Sequence, residues 1–278
     1  MKDVTDNVLK NVIKPRKQET HKYNYGNVLL IGGNKNYGGA IIMSAQAAVN
    51  SGAGLVTVAS DPINMTSIHS VVPEAIFQDY TDGNNLKNLI KKMNVVTIGT
   101  GLGNEEQSLK ILKLVFQTIK TDQALIIDGS AFSLIDEHNL KLPNSKVILT
   151  PHQGEWERIS GIQIKDQTVD NNEKFLKTLS ENKVVLVLKK HRTEIYYRDH
   201  VWRNTSGNAS MATAGMGDTL AGMISGFCAQ FQDMEASICA AVYLHGLIGD
   251  KLSKEQYVTT PSKISQLIPS EMKFYSEN

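Results

Sequence analysis

The chain has 278 residues, 41% hydrophobic and 21% charged, with 29 Lys and Arg against 28 Asp and Glu. That length supports a substantial core, and so balanced a charge gives no reason to expect a nucleic-acid partner. Met1 to Gln18 is charged and lacks the apolar stretch of a secretory signal, and no run of about 18 apolar residues occurs, so neither export nor membrane insertion is expected. Cys228 and Cys239 lie in apolar, helix-like stretches, as structural thiols of a reducing compartment do, which points to the cytoplasm.

In chain order, short apolar runs fall at Val28–Ile31, Leu55–Ala59, Val95–Ile98, Ala124–Ile127, Val147–Leu149 and Val184–Leu188. None alternates with polar residues, so each reads as a strand buried on both faces of a parallel sheet. Helix-like segments lie between several of them, at Ala40–Ser51, Glu105–Lys120 and Glu173–Glu181. The alternation predicts an α/β sandwich with right-handed crossovers. Glu194–Tyr197 and Val201–Arg203, joined by Arg198-Asp199-His200, predict a local hairpin. Helices follow over Asp218–Phe231 and Met234–Lys251. No linker, low-complexity tract or repeat interrupts residues 1–278, so a single domain is expected.

The strand ends carry the chemistry. Ile31 runs into Gly32-Gly33-Asn34, Ile98 into Gly99-Thr100-Gly101-Leu102-Gly103, and Ile127 into Asp128-Gly129. Leu149 runs into Thr150-Pro151-His152-Gln153-Gly154-Glu155, and Leu188 into Lys189-Lys190-His191-Arg192-Thr193. Open α/β sheets bind ligands at the carboxyl ends of their strands, so five such ends on one edge predict an enzyme. The Gly99-x-Gly101-x-Gly103 spacing is not that of a dinucleotide fingerprint, and no Walker A loop is present.

Ala214-Gly215-Met216-Gly217-Asp218 opens directly onto the first of the late helices. Unobstructed N–H groups at a helix start form an anion site. Asp218 would repel what that site holds, unless the anion is a phosphoryl group in transit and the carboxylate takes a proton from the attacking oxygen. In isolation the five residues read as a capped helix start; the other strand ends shift the reading to catalysis.

A Gly-x-Gly-Asp at a late helix start resembles the ribokinase-like superfamily. Gly26-Asn27-Val28-Leu29-Leu30-Ile31-Gly32-Gly33-Asn34-x-x-Tyr37-Gly38-Gly39-Ala40 is similar to the opening signature of the ADP/ATP-dependent NAD(P)H-hydrate dehydratases. Ser51-Gly52-Ala53-Gly54-Leu55-Val56-Thr57-Val58, Thr150-Pro151-His152-x-Gly154-Glu155 and Asn208-Ala209-x-Met211-Ala212-Thr213-Ala214-Gly215-x-Gly217-Asp218 resemble its next three. The resemblance runs from about Asn24 to Asp250. The chain departs from it at Lys190, where a glycine is common, at Met216 between the glycines, and at Asp128-Gly129-Ser130, so Asp128 receives no firm role.

The resemblance implies a ribokinase-like three-layer sandwich with a mostly parallel central sheet, without the fused epimerase domain that many relatives carry. It implies metabolite repair by a lyase: ADP- or ATP-dependent dehydration of NADHX and NADPHX, through phosphorylation of the ring hydroxyl. Asp218 would be the catalytic base, with Ala40, Gly103 and His152 against the substrate. Lys189, Lys190, His191, Arg192, Thr193, Asn208, Gly215 and Gly217 would bind the nucleotide; His191 and Arg192 read equally as a solvated basic turn. Glu155 would hold Mg²⁺ through water, or else serve as a helix-start carboxylate. Trp156 and Trp202 are expected to pack rather than stack on a ligand. A cytoplasmic homo-oligomer, a tetramer among the options, is implied. Two alternatives remain: a small-molecule kinase of the same superfamily, and a nucleotide-binding regulator without turnover.

Overall fold

The computed structural model describes residues 1–179 and 184–277. Ten strands form one sheet: β1 (Lys2–Val4), β2 (Asn27–Ile31), β3 (Leu55–Ser60), β4 (Ile76–Asp79), β5 (Val95–Ile98), β6 (Ala124–Ile127), β7 (Lys146–Leu149), β8 (Val184–Leu188), β9 (Glu194–Tyr197) and β10 (His200–Asn204). Their order is β1-β10-β9-β8-β7-β6-β5-β2-β3-β4. Among the described strands β9 alone runs opposite to the rest, pairing antiparallel with both β8 and β10. The chain builds outward from β2 to β4, then returns beside β2 and builds the other way from β5 to β8. The junction of β2 and β5 is therefore the topological switch point, where open sheets leave a crevice.

Eleven helices are described: α1 (Asn7–Val12), α2 (Gly38–Asn50), α3 (Met65–Val71), α4 (Gly83–Ile90), α5 (Glu106–Thr118), α6 (Ser130–Glu137), α7 (Gln153–Ser160), α8 (Val169–Leu179), α9 (Met216–Gln230), α10 (Met234–Leu252) and α11 (Pro261–Glu277). Successive strand residues point to opposite faces, so Val28 and Leu30 join one buried layer with α1, α2, α3, α9, α10 and α11. Leu29 and Ile31 join the other with α4 to α8. The result is the expected three-layer sandwich.

The expected Glu173–Glu181 helix corresponds to α8, and residues 180 and 181 lie outside the described residues. Helix α9 begins at Met216, two residues before the expected start, because Gly215 adopts the left-handed conformation (φ 92°) that turns the chain into it. The helix then lies close on α2: a Cβ at Gly222 would strike the Ser44 carbonyl. Thr97 of β5 and Ser225 of α9 add a buried hydroxyl pair at 2.6 Å. These contacts fix the α9 N-terminus over the carboxyl ends of the strands. Among the described residues, no helix is long and apolar enough to cross a membrane.

Candidate active site

The centre of the site is a half-buried cation among carboxylates. Lys189, just past β8, places Nζ 2.7 Å from Oδ1 of Asp128, just past β6. Thr150, just past β7, donates its hydroxyl to the same Oδ1 at 2.8 Å. Three neighbouring strand ends thus share one polar cluster. Burial alone would strip the Lys189 ammonium of its proton, but Asp128, Glu155 and Asp218 outweigh it and hold the group above its ordinary range. The same ammonium reaches the anion hole, 3.0 Å from where a Cβ on Gly217 would stand.

Asp218 occupies the first turn of α9, whose N-cap is Gly215 and carries no side-chain cap bond. The aspartate is therefore not the cap of its helix. Burial lifts its carboxyl to about 6, Asp128 and Glu155 add to the rise, and Lys189 opposes it. A carboxylate so tuned is ionised at neutral pH yet basic enough to take a proton. Behind Lys189, His245 of α10 is buried, and burial with the Lys189 charge pushes its imidazole down to about 4, so it adds no second cation.

His152 is the N-cap of α7. Its Nδ1 accepts the N–H groups of Gly154 and Glu155, each at 3.1 Å, while Glu155 Oε2 accepts the His152 N–H at 2.7 Å. This reciprocal arrangement is a capping box with histidine in place of Ser or Thr. The helix-start role foreseen for Glu155 is present. Burial raises its carboxyl, Lys189 opposes that, and Asp128 adds to it. The His152 side chain remains 62% exposed. Pro151 accepts the Lys189 N–H at 2.8 Å, and His152 bridges Lys189 in parallel, so the two loops lie side by side.

The other end of the cleft is made of main chain. At the switch point Gly33 N–H donates to Thr100 O at 2.9 Å and Asn34 N–H to Gly101 O at 2.7 Å. Ala40, in the first turn of α2, stands directly against Gly101. Gly103 (φ 82°) abuts the Glu105 carboxylate and the Asn34 amide, into which a Cβ would collide. Its own neighbours thus already exclude a side chain at Gly103. One helical turn beyond Ala40, Met43 packs on Gly215, linking this shelf to the anion hole.

The remaining expected nucleotide residues divide. Lys190 Nζ lies 2.6 Å from Glu194 Oε1, and Arg192, at φ 61°, donates to the Thr205 carbonyl. His191 is exposed and Thr193 half-buried in the same turn. Asn208 caps a short 3₁₀ turn by accepting the Ser210 N–H, and donates to Asp250 and Ser253. It thus shapes the loop leading to Gly215. Two cavities, of 640 and 980 Å³, open at the opposite edge of the sheet and include none of these residues.

Comparison with known proteins agrees with this fold. The profile of the NAD(P)H-hydrate dehydratase family matches residues 28–270. The chain belongs to that family. It is 46% identical to the ADP-dependent (S)-NAD(P)H-hydrate dehydratase of Lactiplantibacillus plantarum, over 100% of this chain and 99% of that one. Identity to the Staphylococcus aureus protein of the same name is 43%, over 94% of each chain. A ribokinase-like superfamily protein from Enterococcus faecalis superimposes with TM-score 0.97 at 45% identity, over 100% of this chain and 97% of that one. The ADP/ATP-dependent NAD(P)H-hydrate dehydratase of Bacillus subtilis, co-crystallised with ATP/Mg²⁺, gives 0.85 at 26% identity, over 99% and 98%.

In this NAD(P)H-hydrate dehydratase fold, Asp128 is the site residue that the sequence left without a role. Its signal was an acid directly after a buried strand; its partner Lys189 lies 61 positions away and is brought near only by the sheet order. For Mg²⁺ the donor set fits one mode of binding. Among the described residues no group of three His, Cys, Asp or Glu could cage a metal. Glu155 Oε2 is committed to the cap, whereas Oε1 stands 3.6 Å from His152 Nε2, beyond hydrogen-bond reach. One free carboxylate oxygen beside a phosphate site suits a magnesium ion that keeps most of its waters.

Proposed function

We propose that this chain dehydrates NADHX and NADPHX to NADH and NADPH, with ADP or ATP as co-substrate. The observation that carries the reading is Asp218: a half-buried carboxylate in the first turn of α9, raised to about 6 and beside the Lys189 ammonium. Hydroxide leaves poorly and phosphate leaves well. Asp218 takes the proton of the ring hydroxyl as that oxygen bonds to the terminal phosphorus of the nucleotide, whose bridging P–O bond breaks. Transfer from ADP leaves AMP, and transfer from ATP leaves ADP. The lone pair of the ring nitrogen then expels phosphate, and loss of a proton from the neighbouring carbon closes the double bond.

Lys189 and the N–H groups of Gly215 to Gly217 offset charge on the transferring phosphoryl. Lys190, His191, Arg192, Thr193 and Asn208 line the nucleotide side; Ala40, Gly103 and His152 take the hydrated nicotinamide side. Glu155 Oε1 would hold Mg²⁺ through water, and the ion would supply further charge neutralisation. The enzyme acts in the cytoplasm, where unpaired Cys228 and Cys239 stay reduced, and as a homo-oligomer. Incubating hydrated NADH with the protein and either ADP or ATP tests the reading. Absorbance of the dihydronicotinamide should return with stoichiometric phosphate, whereas a stable phosphorylated product would identify a small-molecule kinase and no turnover a regulator.

A further inference from the structure

A buried hydrogen-bonded chain links the loop of Lys189 to Thr193, the proposed phosphate loop, to the helix capped by His152. Lys190 Nζ lies 2.6 Å from Glu194 Oε1, and Tyr196 donates its hydroxyl to Glu194 Oε2 at 2.6 Å. Asn172 Nδ2 donates to the Tyr196 oxygen at 2.9 Å, and Trp156 Nε1 donates to Asn172 Oδ1 at 2.8 Å. The series passes from the loop through β9 and α8 to α7. Glu194 is 7% exposed, Tyr196 2%, and Asn172 and Trp156 not at all.

These groups sit in an otherwise apolar layer, beside Leu186, Leu188 and Phe175. Hydrophobic residues of equal volume would fill such a place with no desolvation cost. The Glu194 carboxylate is tolerated there because one oxygen meets a cation and the other a hydroxyl. A fully satisfied polar network is also stiff, since each bond aligns the next. Its ends are the immediate neighbours of Lys189 and Glu155, the residues whose charges meet at the site centre.

We propose that Glu194, Tyr196, Asn172 and Trp156 are positioning residues that set the His152–Glu155 corner of α7 against the phosphate loop. Occupancy of the loop is thereby coupled to binding at that corner. A nucleotide phosphate that draws on Lys190 weakens the counter-charge on Glu194, and the rest of the chain must adjust through Tyr196 and Asn172 to Trp156. Such coupling is reciprocal. The assignment of the two ends to nucleotide and hydrated cofactor rests on the dehydratase reading.

Tyr196→Phe keeps the ring and cuts the chain at its middle; Trp156→Phe removes the donor at its far end. With folding verified by circular dichroism, each should weaken ADP binding in calorimetry about fivefold and raise the KM for hydrated NADH by a similar factor. The double variant should be no worse than Tyr196→Phe alone, because a chain cut twice is no more broken than one cut once. Ile111→Val, in α5 of the same layer, should lower Tm while leaving both constants in place. Values within about twofold of wild type in both single variants, or effects that multiply in the double, overturn the proposal. If wild-type protein fails to turn over hydrated NADH while its ADP affinity still responds as stated, the dehydratase reading falls and the positioning network stands.

Discussion

The two ends of the cleft are built by opposite means. At β2 and β5 the crevice is held by main-chain bonds from Gly33 and Asn34 to Thr100 and Gly101, and a Cβ on Gly33, Gly101 or Gly103 would strike its neighbours. At β6 to β8 and α9 it is floored by side chains, with the Lys189 ammonium shared among Asp128, Glu155 and Asp218. The first end discriminates by shape and holds its form through hydrogen bonds of the main chain. The second works by charge, and holds its form because no member can leave without stranding another in a poorly solvated place. Chemistry that makes and breaks charged bonds belongs at the second.

That contrast breaks most visibly at Asp218. Asp218→Asn keeps size and shape, so turnover should fall about a thousandfold while ADP affinity from calorimetry stays near wild type. In wild-type protein kcat/KM should rise with pH through about 6 and then level off, since only the ionised carboxylate accepts a proton. Stability should move the other way. The folded pKa of about 6 lies above the ordinary 3.8, so the folded state binds this proton more tightly, and stability is lost as pH climbs between those values. Thermal melts of Asp218→Asn should lack that slope; a normal rate in this variant would reduce Asp218 to a structural acid.

Lys189→Met strands Asp128 in the interior and should cost about 3 kcal/mol in denaturant melts. It should also weaken ADP binding at least about tenfold. Adding Asp128→Asn should restore most of the stability and none of the affinity, which separates what the ion pair does for the fold from what the cation does for phosphate. Recovery of affinity in the double variant would mean that the charged floor is scaffolding. The shape-reading end should give the smallest effect. Gly103→Ala forces a Cβ into the left-handed region against Glu105 and should cost about 1 kcal/mol. The KM for hydrated NADH should rise about threefold with ADP affinity unchanged; a parallel loss of ADP affinity would show that the two ends are not separable in this way.

Legibility followed burial. Val95–Ile98, Ala124–Ile127 and Val184–Leu188 are strands residue for residue, because an apolar run between glycines and charges has one way to be covered on both faces. The edges escaped notice. β1 is three residues of a charged N-terminus, and β4 is a short, partly exposed edge strand. Helix α11 went unseen because Pro269 sits in its middle, where a proline ordinarily argues for a break. In the site, the Gly-x-Gly-Asp turn and the Lys189 loop could be read directly, since each is a local string with its own chemistry. Asp128 could not be, because an ion pair spanning 61 residues exists only once β6, β7 and β8 are neighbours. The capping role of His152 was hidden for another reason: histidine is not among the favoured N-cap residues, and only the placed ring reveals Nδ1 doing a hydroxyl's work.

That cap also fixes where a hydrogen atom sits. Because Nδ1 of His152 spends its lone pair on two main-chain N–H groups, a neutral ring must carry its proton on Nε2. The exposed ring nitrogen is therefore a donor and not an acceptor. A ligand group that meets this nitrogen must offer a lone pair, as the oxygen of a carboxamide does, whereas an amino group would have to turn to Glu155 Oε1 beside it. The start of α7, by satisfying its own backbone, has chosen the tautomer and with it the polarity of the atom His152 can recognise.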